Sequence, residues 1–194
     1  MIISITGGPG TGKTSVGKLL AERLGYPFYS VGALRGKMAL ERGVTINELN
    51  KIGETDASTD TSVDDYQRTL GTTEDNFVIE GRLSWHFIPH SFKVMLTCDL
   101  DEAARRIYTA RHESPDDRQD EPLYASVEET REAITQRIES DVRRYQKYYH
   151  LDYRDPAHYD LVLETAPIQG AAAVTDVVEK AVRAAQKGNN PPSS

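Results

Sequence analysis

Residues 7–14 read Gly-Gly-Pro-Gly-Thr-Gly-Lys-Thr, and these residue types at this spacing suit the holding of a polyphosphate. They match the pattern G-x-x-x-x-G-K-[ST]. Gly7, Gly8, Gly10 and Gly12, with Pro9 and Thr11 among them, let consecutive backbone N–H groups turn inward around an anion, along a path that side chains would obstruct. Lys13 is placed to reach the β- and γ-phosphates, and the hydroxyl of Thr14 to ligate Mg²⁺. Ser15 follows in the first turn of a helix whose positive N-terminal end faces the same anion. The context is the one this pattern needs. Ile2, Ile3 and Ile5 precede it as a buried strand would, while Val16, Leu19, Leu20 and Leu24 follow on one helical face with Gly25 as the stop. The expected ligand is a nucleoside triphosphate.

A second group of residues could handle further phosphoryl oxygens. Arg137, Asp141 and Arg144 fall at steps of four and three on one face of a helix predicted over residues 127–149. Beside them runs an apolar stripe of Ile134, Ile138, Val142, Tyr145 and Tyr149. Alone, such a stack reads equally as a solvated salt-bridge ladder. Arg105, Arg106 and Arg111 gather upstream, and planar guanidinium groups bind phosphate bidentately, which favours a phosphate-handling role. Val78-Ile79-Glu80-Gly81-Arg82 ends a buried strand, where ligands bind in open α/β sheets. Glu80 is suited to hold a water on Mg²⁺ and Arg82 to bind an incoming phosphate; the alternative is a strand end closed by an ion pair. Trp85, His86 and His90 are expected to pack or to face solvent.

These groups need a scaffold, and the chain alternates strand-like and helical runs. Strands are predicted at residues 1–6, 28–30, 76–80, 92–98 and 160–164, with helices between them, which gives a parallel sheet covered on both faces. Residues 31–75 are too long for one crossover and carry two or three polar helical segments with an acidic centre of Glu54, Asp56, Asp60, Asp64 and Asp65. Residues 112–126 form a second insert, after which Ser126 opens the long helix with Glu129 placed to complete a capping box. Inserts over a phosphate loop suggest a substrate-binding flap and a closing lid. One domain over residues 1–187 is expected, with 188–194 as a disordered tail.

Composition narrows the setting. A net charge of −7 argues against nonspecific binding to nucleic acid and requires the cations to be concentrated at any phosphate site. No membrane span, no signal peptide and no zinc site are expected. The single cysteine, Cys98, is read as a small buried residue and fits a reducing cytoplasm. A monomer acting on a small molecule is expected.

Taken together, these segments resemble the cytidylate kinases, most of all their compact archaeal form, over residues 1–165. The likeness rests on the phosphate loop, on Gly32 followed by Met38-Ala39-Leu40-Glu41-Arg42-Gly43, on Glu80-Gly81-Arg82, on the R-x-x-x-D-x-x-R spacing from Arg137 to Arg144, and on Tyr159-Asp160-Leu161-Val162-Leu163-Glu164-Thr165. It implies a P-loop three-layer α/β/α fold with a five-stranded parallel sheet, an acceptor-binding helical insert and an arginine-bearing lid. The implied reaction is transfer of a phosphoryl group from ATP, with Mg²⁺, to a nucleoside monophosphate, CMP or dCMP. Arg82, Arg137 and Arg144 would hold the acceptor phosphate, Asp141 would orient them or meet the nucleoside, and Arg106 and Arg111 would neutralise the transferring phosphoryl. The family's arginine four residues past the glycine is here Gly36, and Arg35 comes one residue early, about 100° around a helix. Arg35 or Lys37 would substitute, or the acceptor is another small molecule on the same fold. An ATP-binding regulatory protein without transfer activity is a further alternative, whereas a switch GTPase is disfavoured because no Asn-Lys-x-Asp segment occurs. The side chain that would separate cytosine from uracil is not identifiable in the sequence.

Overall fold

A computed structural model describes residues 1–56, 58–113 and 122–188. Five parallel strands form one sheet in the order β2-β3-β1-β4-β5. They are β1 (Ile3–Gly7), β2 (Phe28–Ser30), β3 (Val78–Glu80), β4 (Phe92–Thr97) and β5 (Leu161–Glu164). The strand positions expected from the apolar runs agree within two residues; β1, β3 and β4 lie in the sheet centre, while β2 is a half-buried edge strand and β5 an edge strand that exposes Val162. β1 and β4 are neighbours whose following connections leave in opposite directions, and such a switch point leaves a crevice at the strands' carboxyl ends.

Alternation sends side chains to two faces. Ile3, Ile5, Val78, Val94 and Leu96 pack against α1 (Lys13–Leu24) and α8 (Gly170–Gly188). Ile2, Phe77 and Ile79 pack on the other face against α2 (Val31–Glu41) and α4 (Ser58–Thr73). This is a three-layer α/β/α arrangement. The connection between β2 and β3 folds as three helices, α2, α3 (Ile46–Gly53) and α4. Thr45 and Glu48 form a capping box at the start of α3, fixing where the second helix begins.

Beyond β3, α5 (Ser84–Phe87) leads into β4, and α6 (Leu100–Glu113) then packs along α7 (Val127–Tyr149). The apolar stripe of α7 divides its work: Ile134 and Ile138 meet Ala104 and Ile107 of α6, while Val142, Tyr145 and Tyr149 join Leu83, Phe87 and Tyr153. Ser126 caps α7 by accepting from the Glu129 amide, and the Glu129 carboxylate returns to the amide of Ala125 rather than that of Ser126. Residues 112 and 113, expected in the lid, belong to the last turn of α6, and residues 114–121 of that lid lie outside the described residues, as do 189–194 of the expected tail. Cys98 is half-buried just past β4 rather than fully enclosed, because the strand ends one residue before it. No described helix is long and apolar enough to cross a membrane.

Candidate active site

A cavity of about 890 Å³ opens at the carboxyl ends of β1 and β3, within the size range of small-molecule sites. Its two ends are constructed differently.

The first end is backbone. β1 stops at Gly7, the chain loops, and α1 begins at Lys13 with Gly12 as its N-cap in the left-handed region (φ 86°). Gly10 is also left-handed (φ 76°), and a Cβ there would meet the Ala103 carbonyl oxygen at 2.6 Å, so both conformation and space require glycine. The Lys13 ammonium donates to the Gly8 carbonyl at 3.0 Å, and the Thr11 hydroxyl donates to the same oxygen. Residues Pro9 to Ser15 line the cavity, whereas Gly7 and Gly8, also expected in the loop site, are not among its lining residues.

Parallel register brings the metal candidates to this end. Ser30 of β2 pairs with Glu80 of β3, which pairs with Ile5 of β1. The buried Glu80 carboxylate thereby meets the hydroxyl of Thr14, which donates to its Oε1 at 3.1 Å, and that of Ser30. A hydroxyl and a carboxylate beside a phosphate loop are hard oxygen donors of the kind Mg²⁺ takes, the phosphates and water supplying its other ligands. Among the described residues no group of three or more His, Cys, Asp or Glu is placed to hold a metal ion.

The second end is a lattice of charged side chains. Arg82 donates from Nη1 to the Gly7 carbonyl (2.6 Å) and from Nε to Asp141 (2.9 Å), linking phosphate loop to α7. Arg144 reaches the other Asp141 oxygen at 2.9 Å through Nη2, which also donates to the Tyr145 hydroxyl. Its Nη1 meets Oδ1 of Asn50, and its Nε stands 3.3 Å from Asp60. Arg35 closes the circuit by pairing with Asp60 and donating from Nη2 to the same Asn50 oxygen. Two carboxylates thus hold three arginines together across α2, α3, α4, α7 and the end of β3.

Burial raises the stakes of each pairing. Arg144 is 1% exposed. Burial pushes the Asp141 carboxyl up, but Arg82, Arg144 and Arg137 together hold it below the usual carboxylate range. Burial likewise disfavours the charged forms of Arg82 and Arg144. Asp141 and the surrounding tyrosines outweigh it for Arg82, and Tyr145, Asp141 and Asp60 do so for Arg144, keeping both guanidinium groups charged. A buried lattice of this kind is weak evidence for stability but strong evidence for fixed orientation, because the charges leave their partners only at high cost.

The expected residues distribute unevenly around this site. Arg35, Arg82, Arg106, Arg137, Asp141 and Arg144 all line the cavity. Arg106 ties itself to Glu102, to the Thr165 hydroxyl and to the Thr165 carbonyl, so it borders the loop that follows β5. Arg111 is half-buried in the last turn of α6 and is not among the lining residues. Lys37 is a correction: it points into solvent with its side chain 75% exposed and stands near Glu41. Two residues on from Arg35 it is turned about 200° around α2, so only one of the two can face the cavity, and that one is Arg35. Trp85 packs beneath the site, stacked on His158 at 4.3 Å, and His86 and His90 are exposed.

Sequence reasoning missed Asn50, the orienting roles of Asp60 and Tyr145, and Gln67. A signal existed for α4: Asp60, Asp64 and Gln67 recur at helical spacing and are buried along with Val63 and Leu70. A polar stripe on the inward face of a helix contradicts ordinary amphipathic burial and marks a site.

Known proteins resemble this chain in sequence and in fold. The model of the cytidylate kinase-like family matches residues 2–167. A cytidylate kinase of Methanocella arvoryzae is 35% identical over 182 residues, covering 94% of this chain and 97% of the relative. One of Natronomonas pharaonis is 38% identical over 186 residues, covering 95% and 90%. Among solved structures, an uncharacterised protein from Eubacterium ventriosum superposes with a TM-score of 0.67 at 19% identity, covering 94% of this chain and 98% of that one. A shikimate kinase from Bacteroides thetaiotaomicron gives 0.61 at 17%, covering 96% and 98%. At such identities the structural likeness speaks for the fold alone. With the family model spanning most of its length and relatives above 30% identity over nearly the whole chain, the protein belongs to the cytidylate kinase-like family.

Proposed function

We propose that this protein phosphorylates CMP, and dCMP with it, from Mg·ATP. The observation that carries the reading is that Arg82 bonds both the phosphate loop and the Asp141–Arg144 pair, so donor and acceptor ends meet in one cavity. The names of its relatives supply the base.

The loop amides and Lys13 bind the donor phosphates, with the Lys13 ammonium turning from the Gly8 carbonyl to the β- and γ-oxygens. Thr14 and Glu80 would hold Mg²⁺, whose charge would offset that of the donor phosphates. Arg82, Arg137 and Arg144 grip the acceptor phosphate, with Asp141 and Asp60 fixing their planes so that the incoming oxygen lies in line with the γ-phosphorus. Arg106 stands beside the donor on the Thr165 side. Phosphoryl transfer spreads charge over equatorial oxygens, so positioned cations supply most of the rate and no covalent intermediate is required. We read the protein as a cytoplasmic monomer, on its acidic, polar composition and single cysteine.

The test is ADP formation with Mg·ATP against CMP, dCMP, UMP, AMP and GMP. Turnover concentrated on CMP and dCMP is the expected result. Tight ATP binding with negligible turnover of all five would overturn the reading in favour of a different acceptor or a regulatory protein.

A further inference from the structure

We infer that Asp64 and Gln67 read the acceptor base, selecting the amino edge of cytosine against the carbonyl edge of uracil. The inference rests on the nucleoside monophosphate reading of the cavity. Both side chains line that cavity beyond the arginine lattice, beside Asp60 and Val63. They are three residues apart on α4 and share one helical face. Both are more than nine-tenths buried, Asp64 at 7% and Gln67 at 2% exposure, so each polar atom needs a partner or forfeits solvation.

Their present partners define what is left to offer. Nε2 of Gln67 donates to the Val63 carbonyl at 3.3 Å, and Oε1 accepts from the Ser84 hydroxyl at 2.7 Å. A carbonyl only accepts, so the amide nitrogen is the end against Val63, and one of its two hydrogens stays available. Oδ2 of Asp64 accepts from the Tyr149 hydroxyl at 2.5 Å, while Oδ1 has no hydrogen bond among the described residues. One acceptor oxygen and one N–H donor therefore stand on the same face. Cytosine presents the complement, an N4 amine that donates and an N3 that accepts. Uracil reverses both, with O4 accepting and N3–H donating.

Charge sharpens the choice. Burial pushes the Asp64 carboxyl up to about 6, with Tyr149 opposing the shift, so it is ionised at neutral pH. An ionised carboxylate makes a charge-assisted bond to the N4 amine and repels O4. The neighbouring charges are Asp60, which disfavours ionisation, and Arg68 and Arg35, which favour it.

The test compares kcat/KM for CMP and UMP in the wild type and in Asp64→Asn, a near-isosteric change. The CMP-to-UMP ratio is expected to fall at least about tenfold in the variant, from loss with CMP and gain with UMP, with KM for ATP unchanged. Equal loss with both acceptors and an unchanged ratio would make Asp64 structural and overturn the inference. If the wild type turns over CMP while the ratio is unmoved, the phosphotransfer reading stands without base reading by Asp64. If the wild type accepts no pyrimidine nucleotide, both fall. Should the variant not fold, carboxyl ¹³C NMR of the wild type decides: saturating CMP should lower the Asp64 titration and UMP should not, and identical titrations would overturn the inference.

Discussion

The phosphate loop and the arginine lattice sit in one cavity and, on the function proposed above, bind the same kind of group, yet they are assembled by opposite means. The loop holds its anion with backbone amides fixed by Gly10 and Gly12, over a run of consecutive residues, and needs only β1 before it and α1 after it. The lattice is made of side chains whose partners lie far away in the chain, as in Arg82 with Asp141 and Arg144 with Asn50. The first is rigid because its conformation is local. The second is rigid because each buried charge is compensated by another, so it holds only as a whole. Donor binding should therefore depend on single residues, and acceptor binding on a collective.

The largest expected effect breaks the donor side at one point. Lys13→Ala should lower kcat by at least about 10³-fold, the scale on which positioned cations act in phosphoryl transfer. Its unfolding midpoint should stay near wild type, since Lys13 is only half-buried; urea titration beside the kinetic assay checks both. Asp141→Asn breaks the acceptor side and should differ in kind. It leaves Arg82 and Arg144 without their shared buried carboxylate, which should cost about 3–5 kcal/mol of stability along with acceptor affinity, measured by the same titration.

Arg137→Ala sharpens the contrast, because Arg137 lines the cavity and is less enclosed than Arg144. KM for CMP should rise roughly 10–100-fold with KM for ATP unchanged, as expected for a lost hydrogen bond to a charged group. Equal damage to both substrates would place Arg137 in the scaffold. The smallest effect concerns pH. The Asp64 carboxyl lies above its ordinary value of 3.8, at about 6, so its protonated form favours folding. That contribution is complete below pH 4 and is lost as pH rises to about 6. Between pH 5 and pH 7 the wild type should lose about 1 kcal/mol that Asp64→Asn keeps, visible as a smaller fall in thermal midpoint.

The same contrast explains what could be read before the fold was known. Lys13, Thr14 and Glu80 announce themselves through a fixed motif and a strand end. Arg137, Asp141 and Arg144 are legible as a set because a helix brings steps of three and four together. Asp60 and Asn50 were not, since their partners come from other helices and nothing in the local pattern links position 60 to position 144. Lys37 shows the same limit: Arg35 and Lys37 are both cations near the expected slot, and the phase of α2 chose between them.

By itself the sequence determined the alternation of strands and helices, the phosphate loop and the family, because these depend on periodicity and on residues adjacent in the chain. Tertiary structure alone decided which arginine of α2 enters the cavity, which carboxylates hold the arginines, and that Asp64 and Gln67 face the same space. Those outcomes depend on how α2, α3, α4 and α7 pack around one another, where burial makes a charge tolerable only beside its partner.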